Sequence, residues 1–159
     1  MVLVMPGYGQ QTTFDLNKIR FKGLRMEEPK EVVMKTFGKP KIKYPDYECG
    51  AYSKVQPGSA FYQLIYSGFN YIGRDKEKFI LEELDFDVLG KTKLQYGDKV
   101  LSGLTTENEF VNLFGAKAKA QFTKQSENMI FLNATYRDDR GVFYFKKGKL
   151  IKFQYDSPC

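Results

Sequence analysis

The strongest constraint in this sequence is that part of it occurs twice. Gly23-Leu24 leads through a short helical pattern to Phe37-Gly38, and Gly103-Leu104 leads through another to Phe114-Gly115. The two Gly-Leu pairs lie 80 residues apart and the two Phe-Gly pairs 77. Upstream, residues 14–22 resemble residues 94–102, and downstream each helical pattern is followed by aromatic-rich runs of strand character. Two copies are too few for a solenoid, so a pseudo-symmetric pair is expected. The fold class that follows is α+β: two tandem β-α-β-β-β units, each a short helix packed on an antiparallel sheet. The units span 12–88 and 91–157. Their joint, Val88-Leu89-Gly90, is short, so the halves are expected to pack together.

In the first unit a strand is expected to end at Gly23. Pro29 suits the first turn of a helix, where its missing N–H costs nothing. Val32, Val33, Thr36 and Phe37 then form one stripe at helical spacing, Gly38 supplies a left-handed stop, and Pro40 forbids continuation. Strands are expected over 60–66, 69–73 and 79–87, with Glu82-Glu83 marking a bulge or an exposed edge. In the second unit a strand over 94–101 precedes Thr106-Glu107-Asn108-Glu109, which has capping-box spacing. Phe110, Val111 and Phe114 continue the helix, and strands follow over 128–136, 141–145 and 150–155.

Histidine is absent. That removes Ser-His and Cys-His nucleophile pairs and the commonest metal ligand together. The only cysteines are Cys49 and Cys159, too few for a cysteine zinc site. Glu82-Glu83 and Asp138-Asp139 are adjacent pairs, and strand neighbours point to opposite faces. Neither suits a shared acid/base site, and no phosphate-cradling glycine motif exists. The chain therefore reads as non-catalytic, with no cofactor and no metal. Its formal charge of +6 suits nucleic acid, an anionic membrane surface or an acidic protein, and alone does not choose among them.

At the N-terminus, 1–11 reads as the remnant of a secretion signal or as a flexible terminus. Residues 1–5 are apolar, and Gly7 and Gly9 stand at the small-x-small spacing a signal peptidase accepts. No later run is long enough for a membrane span. Export would make the compartment oxidising, where Cys49 and Cys159 can pair as a disulfide; two free thiols are the alternative.

The motifs Gly23-Leu24…Phe37-Gly38-Lys39-Pro40, Gly103-Leu104…Phe114-Gly115 and the closing hairpin Lys147-Gly148-Lys149-Leu150 resemble the repeat of the beta-lactamase-inhibitor-protein-like superfamily, which includes the small outer-membrane assembly lipoproteins. The resemblance covers nearly the whole chain. It implies a bacterial, periplasmic or secreted protein that grips another protein on a curved sheet, in an inhibitory, immunity or assembly role. It assigns no individual contact residue.

Candidate partner-binding residues come from the loops: Tyr44, Tyr47, Phe69 and Tyr71 offer large rings with few rotors to freeze. Lys39, Lys41 and Lys43 alternate after the first Phe-Gly pair, as do Lys117 and Lys119 after the second. With the tyrosines they form the alternative reading, a cytoplasmic nucleic-acid surface; as plain strand lysines they would guard an edge against aggregation. A small-ligand or lipid pocket lined by aromatics between helix and sheet is the third reading.

Overall fold

Runs of alternating apolar and polar residues give this chain two antiparallel sheets. In the computed structural model, residues 13–45, 61–135 and 137–157 are described. The expected signal remnant at 1–11, Tyr47, Cys49 and Cys159 lie outside them, and with them the disulfide. The chain begins with β1 (Ile19–Phe21), β2 (Leu24–Arg25), β3 (Glu27–Pro29) and helix α1 (Lys30–Phe37). Next come β4 (Lys41–Lys43), β5 (Tyr62–Tyr66), β6 (Phe69–Gly73) and β7 (Lys78–Asp85). The second half opens with β8 (Lys93–Tyr96), β9 (Lys99–Ser102), α2 (Glu107–Phe114) and the one-turn helix α3 (Ala116–Lys119). It closes with β10 (Glu127–Asn133), β11 (Arg140–Lys146) and β12 (Lys149–Asp156).

The larger sheet runs β10-β11-β12-β7-β6-β5-β4, with β3 added beside β7. The smaller runs β2-β1-β8-β9. The architecture is thus α+β, mostly antiparallel sheet with short helices. Both sheets join strands from the two halves, through β1·β8 and β7·β12.

One face of the large sheet carries Leu64, Tyr71, Leu81, Leu84, Ile130, Phe143, Phe145 and Phe153, all fully buried. The helices and the small sheet cover this face. Phe110 and Phe114 of α2 reach Phe143 at 4.9 and 5.8 Å between ring centroids, and Phe37 of α1 reaches Phe69 at 4.7 Å. Phe21 of the small sheet meets Phe69 edge-on at 5.0 Å. Burying a ring of this size stabilises by roughly 1.5–3 kcal/mol against leaving it exposed.

Helix α2 starts as its sequence dictates. Thr106 Oγ1 accepts the Glu109 N–H while the Glu109 carboxylate accepts the Thr106 N–H, a closed capping box. Helix α1 has no side-chain cap, and Pro29 ends β3 immediately before it. Both helices stop at the expected glycine in an unexpected conformation. Gly38 has φ 85° and ψ −163°, and Gly115 φ 78° and ψ −155°. That is mirror-extended rather than left-handed helical backbone, a region essentially closed to any residue with a Cβ.

Several expectations need correcting. The lead segments are not single strands: residues 16–18 form a 3-10 turn, and the 94–101 segment folds back at Gly97-Asp98 into the β8-β9 hairpin. The two Gly-Leu pairs are therefore not equivalent. Gly23 lies in the β1-β2 turn, where Lys22 and Gly23 both have positive φ as a two-residue hairpin turn of the favoured twist demands. Gly103 follows the second hairpin instead. In α1 only Val33 of the proposed stripe is fully buried and Phe37 is partly so; Val32 is exposed, and so is Thr36, whose hydroxyl bonds the Val32 carbonyl. Lys117 and Lys119 stand on α3, not on an extended segment, so they cannot share a face by strand alternation. Glu82 is the extra residue of a bulge, as expected, but in a strand paired on both sides rather than at an edge.

The joint between the halves is wrapped round one carboxylate. Asp87 accepts the backbone N–H groups of Leu89, Lys91 and Thr92 at 3.0, 3.2 and 2.6 Å. These bonds, Thr92's foremost, hold its pKa down to about 2. A carboxyl depressed in the folded state stabilises above its unfolded value, near 4, and loses that contribution as pH falls through its folded value. Titration followed by NMR is expected to give Asp87 a midpoint of about 2, with the Thr92 amide shift tracking it. A midpoint near about 4 would mean that these bonds do not persist in solution.

Candidate functional site

The other face of the large sheet has no helix and no second sheet over it among the described residues. Register alone arranges its side chains in transverse rows. One row crosses seven strands: Phe131, Val142, Gln154, Glu83, Asn70, Ile65 and Lys41. A second sets Met129 beside Tyr144, Lys152 and Asp85. A third sets Ile80 beside Ile72, Gln63 and Lys43.

A solvated sheet face ordinarily alternates to polar side chains. This one mixes apolar residues with paired charges. Met129 is 46% exposed, Phe131, Tyr144 and Ile65 are half-buried, and Val142 and Ile72 are buried outside the main core cluster. The guanidinium of Arg140 lies 4.7 Å over the Phe131 ring and pairs with Asp156. Lys152 pairs with Glu83 at 3.1 Å and Lys146 with Glu127 at 3.2 Å. Tyr144 donates to Gln154 Oε1 at 2.8 Å, and Gln63 donates to Glu82 at 2.6 Å. These pairs cross between strands, fix side-chain positions, and each contributes only about 0.2–1 kcal/mol to the sheet. By register the face carries Lys41, Lys43, Lys78, Arg140, Lys146, Lys149 and Lys152 against Glu27, Glu82, Glu83, Asp85, Glu127 and Asp156, so it is close to electrically balanced.

Both edges of the sheet are managed. At the β10 edge the Gln121 side chain acts as a strand substitute: its amide donates to the Phe131 carbonyl at 2.8 Å and accepts the Phe131 N–H at 2.7 Å. At the other, Lys41 and Lys43 of β4 are exposed and project with Ile65 and Gln63 onto the open face. That position suits the guard role of lysine on an edge strand.

The residues singled out from the sequence are dispersed. Tyr44 is exposed and lies 5.7 Å from the Tyr62 ring. Lys39 is exposed between α1 and β4. Lys117 and Lys119 sit on α3, beyond the opposite edge of the sheet from Lys41. Phe69 is half-buried between Phe21, Phe37 and Tyr66 on the packed side. Tyr71 is fully buried on that same side, so it offers no contact surface. Burial pushes its phenol pKa up, and its hydroxyl has no hydrogen-bond partner. The structure instead brings together Met129, Phe131, Val142 and Tyr144, which the sequence reading passed over. Their signal was present: Met129-Ile130-Phe131-Leu132 and Val142-Phe143-Tyr144-Phe145 are unbroken apolar runs, which place apolar groups on both faces of a strand.

Chemistry is thin. Among the described residues no cluster of three or more His, Cys, Asp or Glu could hold a metal. A polar relay sits at the start of α1, where Lys30 Nζ donates to the Tyr62 hydroxyl at 2.6 Å and that hydroxyl donates to Asp75 at 2.5 Å. Burial and the Asp75 bond push the Tyr62 pKa up, while the Tyr62 bond holds Asp75 low. The phenol stays protonated and the carboxylate charged, so the relay latches α1 to β5 and the β6-β7 turn. A groove of about 440 Å³ between β9 and α2 is lined by Val100, Leu101, Leu104 and Leu113 with Lys99 and Glu109, and by no aromatic ring, whereas a more enclosed one of about 550 Å³ between the helices and β10 is lined by Phe14, Phe114 and Phe131 among others. Among the described residues no helix is long and apolar enough to cross a membrane. No known family model, curated protein or solved structure matches the chain.

Proposed function

We propose that this is a non-catalytic, exported protein that binds another protein through the open face of its large sheet. The observation that carries the reading is the seven-strand row from Phe131 to Lys41, with accessible apolar side chains at its end in Met129, Phe131 and Tyr144. Aromatic, Met and Arg side chains held among paired charges are what the centre of a protein interface uses. The charge balance of the face favours a protein over a polyanion. Export rests on the N-terminal sequence.

The tandem reading has support once its register is corrected, matching the Lys22-Gly23 turn to Gly97-Asp98. Each half then runs hairpin, helix, mirror-extended glycine and antiparallel meander, of four strands (β4 to β7) in the first half and three (β10 to β12) in the second. The ring trio Phe21, Phe37, Phe69 corresponds to Tyr96, Phe114, Phe143, with successive centroid distances of 5.6 and 4.7 Å in one and 4.9 and 5.8 Å in the other. The antiparallel pairings β1·β8 and β7·β12 relate the halves as a two-fold would. This internal doubling suits the assembly or inhibitory role expected from the sequence.

Met129→Glu combined with Tyr144→Ala is expected to lower capture of the partner from an envelope extract by about tenfold or more, because central interface residues dominate affinity. Lys35→Glu, on the exposed side of α1, is expected to leave it unchanged. Equal loss in both variants, or none in the first, contradicts the proposal.

A further inference from the structure

The chain's positive charge is concentrated on the small sheet. Residues 18–25 carry Lys18, Arg20, Lys22 and Arg25 with no acid, and residues 91–102 carry Lys91, Lys93 and Lys99 against Asp98 alone. These two segments, the hairpins together with Lys18 and Lys91 just before them, hold a net +6, equal to the formal charge of the whole chain, and the rest of the sequence is neutral. Alternation sorts the side chains. Ile19, Phe21, Leu94, Tyr96 and Leu101 are buried against the core, while the outward face reads Arg25, Arg20, Gln95 and Val100 across the four strands. Arg20 is fixed by bonds to the carbonyls of Asn17 and Ile19 at 2.6 and 2.7 Å, and Lys93 stands opposite Ser102 on the same face. Arg25 is offset by Glu28 at 3.2 Å and Lys99 by Asp98 at 3.9 Å. No carboxylate among the described residues lies within ion-pair distance of Lys18, Arg20, Lys22, Lys91 or Lys93.

Beside this face stands an apolar tip. Val88 is 80% exposed and Leu89 66%, in the loop that Asp87 holds in shape, and Leu104 and Val100 are 54% and 50% exposed. The loop adjoins the basic face: a Cβ on Gly90 would lie 2.8 Å from the Leu104 side chain and 3.4 Å from Ser102 Oγ. Lys91 and Lys93 follow the tip directly. The aromatic rings of this sheet, Phe21 and Tyr96, point inward, so no stacking platform for nucleic-acid bases is presented.

We propose that the outward face of the small sheet docks on an anionic lipid bilayer, its lysines and arginines facing the headgroups and Val88-Leu89 entering the interface. Basic residues near such a surface contribute individually modest attractions that sum, and a short apolar tip adds burial at the acyl boundary. This site is separate from the protein-binding face and stands without it.

The test is sedimentation of the full chain with vesicles of phosphatidylcholine alone or with about 30% phosphatidylglycerol, at about 0.1 M and about 1 M salt. Binding is expected only to the anionic vesicles and to fall at high salt. Lys22→Asn with Lys93→Gln is expected to weaken it about 25-fold, about fivefold for each charge removed. Asn tolerates the positive φ at position 22, so the hairpin is retained. Val88→Ser with Leu89→Ser is expected to weaken vesicle binding severalfold while leaving retention on heparin unchanged. Equal binding to neutral vesicles, or none to either, overturns the proposal. So does loss in the charge variant with no effect of the tip variant, a result that assigns the face to a soluble polyanion.

Discussion

Replacing Gly103 by alanine is expected to lower the melting temperature by about 6–12 °C, corresponding to about 3 kcal/mol in a domain of this size. A Cβ built at Gly103 lies 1.9 Å from the Asp87 carbonyl oxygen and 2.8 Å from its carbon. Both are backbone atoms, so no side-chain rotation relieves the overlap. The Asp87 loop has to move, and with it the three N–H bonds to its carboxylate and the approach of Leu104 to Gly90. Gly97 is the control. It has open space around it and φ 61°, so Gly97→Asn is expected to cost under about 1 kcal/mol. Equal melting temperatures for the two variants, by calorimetry, would show that the close approach at Gly103 is absent in solution.

Phe143→Ala is expected to cost about 3–5 kcal/mol, measured by denaturant unfolding, the range for removing a large buried ring. Phe143 is fully buried, and its ring meets Phe14, Phe110, Phe114 and Phe153 at 5.8, 4.9, 5.8 and 5.2 Å. These partners come from the N-terminal segment, α2 and β12, so the cavity left behind opens where several elements meet and cannot collapse onto one flexible neighbour. Met129→Ala on the open face removes a side chain already 46% exposed and is expected to cost under about 1 kcal/mol. A Phe143→Ala cost no larger than that of Met129→Ala would contradict this packing, and with it the assignment of which face of the large sheet is the core.

The sequence speaks plainly where local chemistry decides. Thr106 and Glu109 specify the start of α2, Gly38 and Gly115 specify both helix ends, and Ser67-Gly68 and Lys147-Gly148 place hairpin turns between strands found within a residue or two of their expected limits. It misleads where equivalence is judged by identity alone. Gly23-Leu24 and Gly103-Leu104 look like one motif, yet the first is a hairpin turn and the second a close backbone crossing. Gly97-Asp98, with polar residues on either side, reads as the middle of a strand although it is a turn. Lys117 and Lys119 alternate as strand residues would, but Ala116 and Ala118 beside them favour helix. The open face escaped for a different reason. Hairpins align its neighbours within each half, but the two parts of the row are joined only where Glu83 of β7 meets Gln154 of β12, 71 positions away, and that long-range register is not visible in the sequence. Tyr71 shows the converse, since a loop-adjacent tyrosine looks available until β5 and β7 close on either side of it.

The most direct test of the proposed function is site-specific photo-crosslinking in cells, with a benzophenone amino acid placed at Met129, Tyr144 and Ile65 on the open face and at Lys35 and Thr36 on the exposed side of α1. One discrete higher-mass adduct is expected from the three face positions and none from the helix positions. Adducts from Lys35 or Thr36 with none from the face would contradict it, and would move the binding surface to the helical side.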